Sequence, residues 1–116
     1  MVAWEMESFR DVHLEIDRIS SRLSGGVPDG ALRADVEDVL TRGYVCALSG
    51  DARCRRLRKR LEGMGHRIEE PENATQVRRL TLELRTVEEA TRALRARLAA
   101  MRSELVGVGA AGRGSA

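Results

Sequence analysis

The densest set of groups able to do chemistry is the run Arg53-Cys54-Arg55-Arg56-Leu57-Arg58-Lys59-Arg60, six cations in eight residues. Such a run can neutralise phosphates. On a helix it can equally form the solvated, ion-paired flank of a packed surface. No aromatic residue lies near it to stack on a base. No helix-turn-helix or zinc-finger spacing accompanies it. Cys54 sits between Arg53 and Arg55, where neighbouring cations favour a thiolate. The same residue continues the apolar spacing to Leu57 and Leu61, which makes it a small packing residue. Cys46 reads the same way.

The other candidates are sparser. His13 and Asp17 are one helical turn apart, and His66 lies near Glu69 and Glu70. There is no His-Glu-x-x-His and no Cys-x-x-Cys, so no metal ligands are assigned. The carboxylate pairs Glu37-Asp38 and Glu88-Glu89 are adjacent in sequence, diverge on a helix and make poor acid-base dyads. Gly25-Gly26 is not followed by Gly-Lys-Ser/Thr, so no phosphate loop is expected. Trp4 and Phe9 have the residue type of interface anchors, or of plugs for the end of a bundle. No catalytic residue and no cofactor are assigned, and an enzyme is not expected.

These residues must be positioned by helices. The chain has 116 residues, 42% apolar and 33% charged, with one Trp, one Phe, one Tyr and two Pro. That is one domain of helical composition, poor in strand-forming aromatics. Twenty basic residues nearly balance eighteen acidic ones, so overall charge alone argues for neither nucleic acid nor membrane. The longest apolar run is Tyr44 to Leu48, far short of a membrane span. The first residues lack the pattern of a secretory signal. A cytoplasmic protein is expected, and two cysteines eight residues apart on one helix, about 12 Å along its axis, suit that compartment.

Three helices are predicted, at about 3–23, 30–64 and 74–106. Phe9, Val12, Ile16, Ile19 and Leu23 line one face of the first. Ser24-Gly25-Gly26 stops it, and Asp29 is placed to cap the second. The second carries Leu32, Val36 and Val39, then Gly43, Cys46 and Gly50, then Cys54, Leu57, Leu61 and Met64. A break at Ser49–Asp51 is the alternative to one continuous helix, given two glycines in its middle. Asn73 and Gln76 have capping-box spacing for the third helix. Its heptad positions read Val77, Leu84, Thr91, Leu98, Leu105 and Leu80, Val87, Leu94, Met101, Val108. The residues 107–116 are expected to be a flexible Gly/Ala-rich tail.

Charge orients the pair. Residues 29–50 carry net −2 and 51–68 net +5, whereas 69–91 carry −3 and 92–116 carry +4. An antiparallel hairpin sets opposite signs side by side; a parallel pair would set like beside like. The same register puts Gly43, Cys46, Ala47 and Gly50 opposite Ala90, Ala93, Ala96 and Ala99, so that Gly43→Leu and Ala93→Leu are both expected to overpack the contact. The predicted fold is therefore all-α: a long, coiled-coil-like antiparallel hairpin with a shorter N-terminal helix along it, a single three-helix-bundle domain over 1–106.

The expected function is that of a non-enzymatic interaction or scaffold protein. It would act through helix faces and self-associate or bind another helical protein, with Leu80, Leu84, Val87, Leu94 and Leu98 on one helix and Leu57 and Leu61 on the other. The alternative is non-specific phosphate binding to nucleic acid through Arg53, Arg55, Arg56, Arg58, Lys59 and Arg60. No membrane partner is expected.

Overall fold

The computed structural model describes residues 3–25, 29–65 and 70–114. They form three helices, α1 (Ala3–Ser24), α2 (Gly30–Met64) and α3 (Pro71–Gly114), with no strand among them. The three make an all-α three-helix bundle in which α2 and α3 are the long antiparallel pair and α1 packs on both.

Local signals explain most of the helix ends. Asp29 is extended (φ −82°, ψ 179°), and its carboxylate accepts the Leu32 amide at 2.8 Å, satisfying one of the free N–H groups that open α2. Gly25 follows α1, with its amide donating to Arg22 O at 3.2 Å. Helix α3 begins earlier than the capping-box spacing suggests. Pro71 is its first residue and the Ala74 amide donates to Glu70 O at 3.0 Å. Proline has no N–H to satisfy and a φ already suited to a first turn, so it starts the helix ahead of Asn73. Asn73 instead donates through Nδ2 to the Glu70 carboxylate at 3.3 Å.

Helix α3 also runs on to Gly114, past the end expected near residue 106. Gly107, Gly109, Gly112 and Gly114 each weaken the helix relative to Ala, but no proline interrupts 107–114 and extending an existing helix is far easier than starting one. Helix α2 is continuous through Ser49–Asp51. Both cysteines lie on it as free thiols, Cys54 buried and Cys46 half-buried. The Trp4 side chain, His66 and the Val108 side chain lie outside the described residues.

Gly43 and Gly50 are retained within α2 because of what faces them. A Cβ on Gly43 would overlap the methyl groups of Leu98. One heptad further along both helices, a Cβ on Gly50 would overlap the Thr91 hydroxyl and lie 3.1 Å from Phe9 Cζ. The antiparallel register thus agrees with the expectation, but the facing residues do not. Leu98 and Thr91 turn inward, while Ala93, Ala96 and Ala99 are exposed. The small side on α2 accommodates large groups from α3 and α1, rather than small residues meeting small ones.

Helix α1 runs antiparallel to α2. Arg22 pairs with Asp35 at 2.9 Å, Glu15 with Arg42 at 2.8 Å, and Phe9 meets Gly50. The core it closes holds Phe9, Val12, Ile16, Ile19 and Leu23 against Val36, Val39, Ala47, Leu94, Leu98 and Met101. Helix α1 begins at Ala3, six residues before Phe9, so the third layer ends about 9 Å past Gly50, near residue 56 of α2, and from there α2 and α3 continue as two helices. The consequence is an extended molecule, 69 × 22 × 16 Å, with a radius of gyration of 19.2 Å. A compact domain of this length would have about 13 Å.

Candidate interaction surface

The seven apolar residues assigned to an interface fall into two groups. Leu57, Val87, Leu94 and Leu98 are completely buried, and Leu80 is nearly so, all by contacts within the chain. Leu61 and Leu84 are only half-buried. They lie in the two-helix tip, and Met64 and Val77 beside them on the same stripe are half-buried too. The stripe is therefore mostly internal core; of the seven residues only Leu61 and Leu84, in the tip that α1 does not reach, stay half-open, and Leu105 at the other end of α3 is half-buried as well.

A second apolar patch was not singled out by periodicity. Val45 and Leu48 are 62% exposed on the outer face of α2. Val45 borders a groove of about 350 Å³ between α1 and α2, floored by Phe9, Val12 and Cys46. The signal was present in the Tyr44–Leu48 run, which breaks the polar side of the helix. On the hairpin's other helix, Leu82 is 65% exposed.

The basic run does not form one face. Helical geometry turns each residue by about 100° from the last, so eight residues encircle α2. Arg53 is largely buried on one flank, ion-paired with Glu83 of α3. Arg58 leaves the other flank and binds Glu88 at 2.8 Å. Arg55 is exposed near Arg58, with Arg92 and Arg95 across a groove. Arg56, Lys59 and Arg60 are exposed.

These pairs are the charge pattern realised. Asp51 of α2 accepts both terminal nitrogens of Arg95, one at 2.9 Å. That hydrogen bonding, helped by the charges of Arg95, Arg55 and Arg58, holds the Asp51 carboxyl below its ordinary value despite some burial. Arg95 is raised in turn, chiefly by Asp51. Glu15 is lowered in the same way by its hydrogen bonds from Arg42, which is raised. At the junction of α1 and α3, Arg97 donates to His13 Nδ1 at 2.9 Å and pairs with Asp17. Burial lowers the His13 pKa, the Arg97 charge lowers it further, and Asp17 opposes both. The His13–Asp17 pair read from the sequence is therefore a clasp for α3.

Among the described residues no cluster of three or more His, Cys, Asp or Glu could hold a metal ion. None of the described helices is long and apolar enough to cross a membrane. The chain matches no protein-family model, no curated protein and no solved structure.

Proposed function

We propose that this protein is a non-enzymatic helical scaffold that self-associates through the open tip of its hairpin. The observation that carries this reading is the mismatch of lengths: α1 has 22 residues, whereas α2 and α3 have 35 and 44. The apolar stripe continues past the end of α1, leaving Leu61, Met64, Val77 and Leu84 half-open with no third helix over them. An apolar stripe of this kind on a helix pair is stabilised by a further pair of helices, as in four-helix bundles. A second copy of the same tip fits because its two helices carry opposite charge, +5 over 51–68 and −3 over 69–91. With the two-fold axis placed so that the α2 of each tip lies beside the α3 of the other, opposite signs meet twice.

Sedimentation velocity of the native chain and of the Leu61→Glu/Leu84→Glu double variant tests this. A dimer or tetramer is expected for the native chain, and a helical monomer for the variant. A native chain that stays monomeric at the highest concentration attainable would reject the proposal.

A further inference from the structure

On the face of the hairpin away from α1, α2 and α3 border an open groove of about 490 Å³. Its lining is Asp51, Cys54, Arg55 and Arg58 from α2, and Glu88, Thr91, Arg92 and Arg95 from α3. Four guanidiniums and two carboxylates leave it a formal charge of +2. The arrangement along the groove is ordered. The Asp51–Arg95 pair closes one end and the Arg58–Glu88 pair the other. Arg55 lies between Asp51 and Arg58 on α2, and Arg92 lies between Glu88 and Arg95 on α3, so both fall in the middle. Asp51 is one turn from Arg55, but its two oxygens already accept from Arg95. Among the described residues neither Arg55 nor Arg92 forms an ion pair.

Two surplus guanidiniums lining opposite walls of one groove repel each other, and an anion between them relieves that repulsion. The floor beneath them is Cys54 and Thr91, 4% and 3% exposed, and the Thr91 hydroxyl is already donated to Val87 O at 2.7 Å. Recognition therefore falls to the arginines, whose flat donor forks match phosphate oxygens. The paired Arg58 and Arg95 retain further N–H donors for the same oxygens.

We infer that this groove is a binding site for a compact phosphorylated ligand, whose phosphate carries about two negative charges and is gripped between Arg55 and Arg92. The size of the groove leaves room for an organic part attached to the phosphate. A nucleic-acid backbone fits less well. Its phosphates would have to pass Asp51 or Glu88 at the ends, and no aromatic residue lines the groove to hold a base. Binding here does not require self-association at the tip.

Calorimetric titration of the full chain with inorganic pyrophosphate, at low ionic strength, tests the inference. One site per chain is expected. The Arg55→Gln/Arg92→Gln variant removes only unpaired, exposed cations, so it should fold normally and bind about tenfold more weakly or worse. The Arg60→Gln/Arg79→Gln variant makes the same change in net charge. It does so on the flank of Arg53 and Glu83, since Arg60 is two turns from Arg53 and Arg79 one turn from Glu83, and it should bind as the native chain does. No binding of pyrophosphate at millimolar concentration would overturn the inference, as would equal losses in the two variants. A DNA duplex that bound more tightly than pyrophosphate, and lost that binding in the Arg55/Arg92 variant, would also overturn it, replacing the small ligand with a backbone.

Discussion

At the scale of the residue, two glycines of α2 carry opposite expectations. A side chain at Gly43 must displace Leu98, which is completely buried and has nowhere to go. Gly43→Leu should therefore destabilise by about 1–3 kcal/mol through overpacking. Gly63 has open space around its Cβ position, and there Gly→Ala should stabilise by up to about 1 kcal/mol through helix propensity. Ala93→Leu, on an exposed position, should stay within about 0.5 kcal/mol. Thermal melts of the three variants check the set. A Gly43→Leu protein as stable as the native one would show that Leu98 can be repacked. His13 supplies a pH dependence of known sign. Its folded pKa lies below the ordinary 6.5, so the unfolded chain binds the proton more readily. Its contribution is fully present above 6.5 and is lost as the pH falls from there through the folded value. Asp51 and Glu15 act in the same direction in a lower window, below their ordinary 3.8 and 4.5. Melting temperature should therefore fall with acidification in two stages, and His13→Gln should remove the upper one. A His13→Gln profile that keeps the upper stage would refute that assignment.

At the scale of the element, the contrast is between the three-helix half and the two-helix tip. Local opening is easiest where few apolar contacts hold the backbone. Amides in 57–64 and 74–84 should exchange with solvent sooner than those in 36–50 and 90–101, measured by hydrogen exchange at low protein concentration. If tips pair, raising the concentration should slow exchange in the tip and leave the other half unchanged. Uniform protection along α2 would contradict the division. The same contrast decides what could be read in advance. The apolar stripes of α1 and α3, the stop at Ser24-Gly25 and the Asp29 cap are local patterns, and they fixed the number and order of the helices. The charge blocks fixed the antiparallel sense. The rotation of α3 about its own axis was not readable. A heptad places Leu98 and Thr91 on the seam, but the alanines beside them suggest an equally close contact. Only the size of the space left by Gly43 and Gly50 separates the two. The scatter of the basic run follows from the helical turn alone, yet which arginine finds an acid depends on register across the hairpin. That is why the shared groove of Arg55 and Arg92 went unannounced.

At the scale of the whole molecule, shape limits how copies can meet. Each chain is 69 Å long and has its apolar opening at one end. A dimer that covers both openings must overlap the tips, while the three-helix halves point away from each other. The overlap is bounded by the two-helix segment of α2, residues 57–64, about 12 Å of helix. Such a dimer would measure about 125 Å from end to end. Copies paired side by side along their full length would instead stay near the single-chain length, burying the Val45 and Leu48 patch in place of the tip. Small-angle scattering of the assembled protein separates these shapes by maximum dimension. The longer value is expected, together with a return to the single-chain radius of 19.2 Å in the Leu61→Glu/Leu84→Glu variant. A dimer with the length of one chain would move the interface from the tip to the outer face of α2, and Val45→Glu/Leu48→Glu would then be the variant that dissociates it.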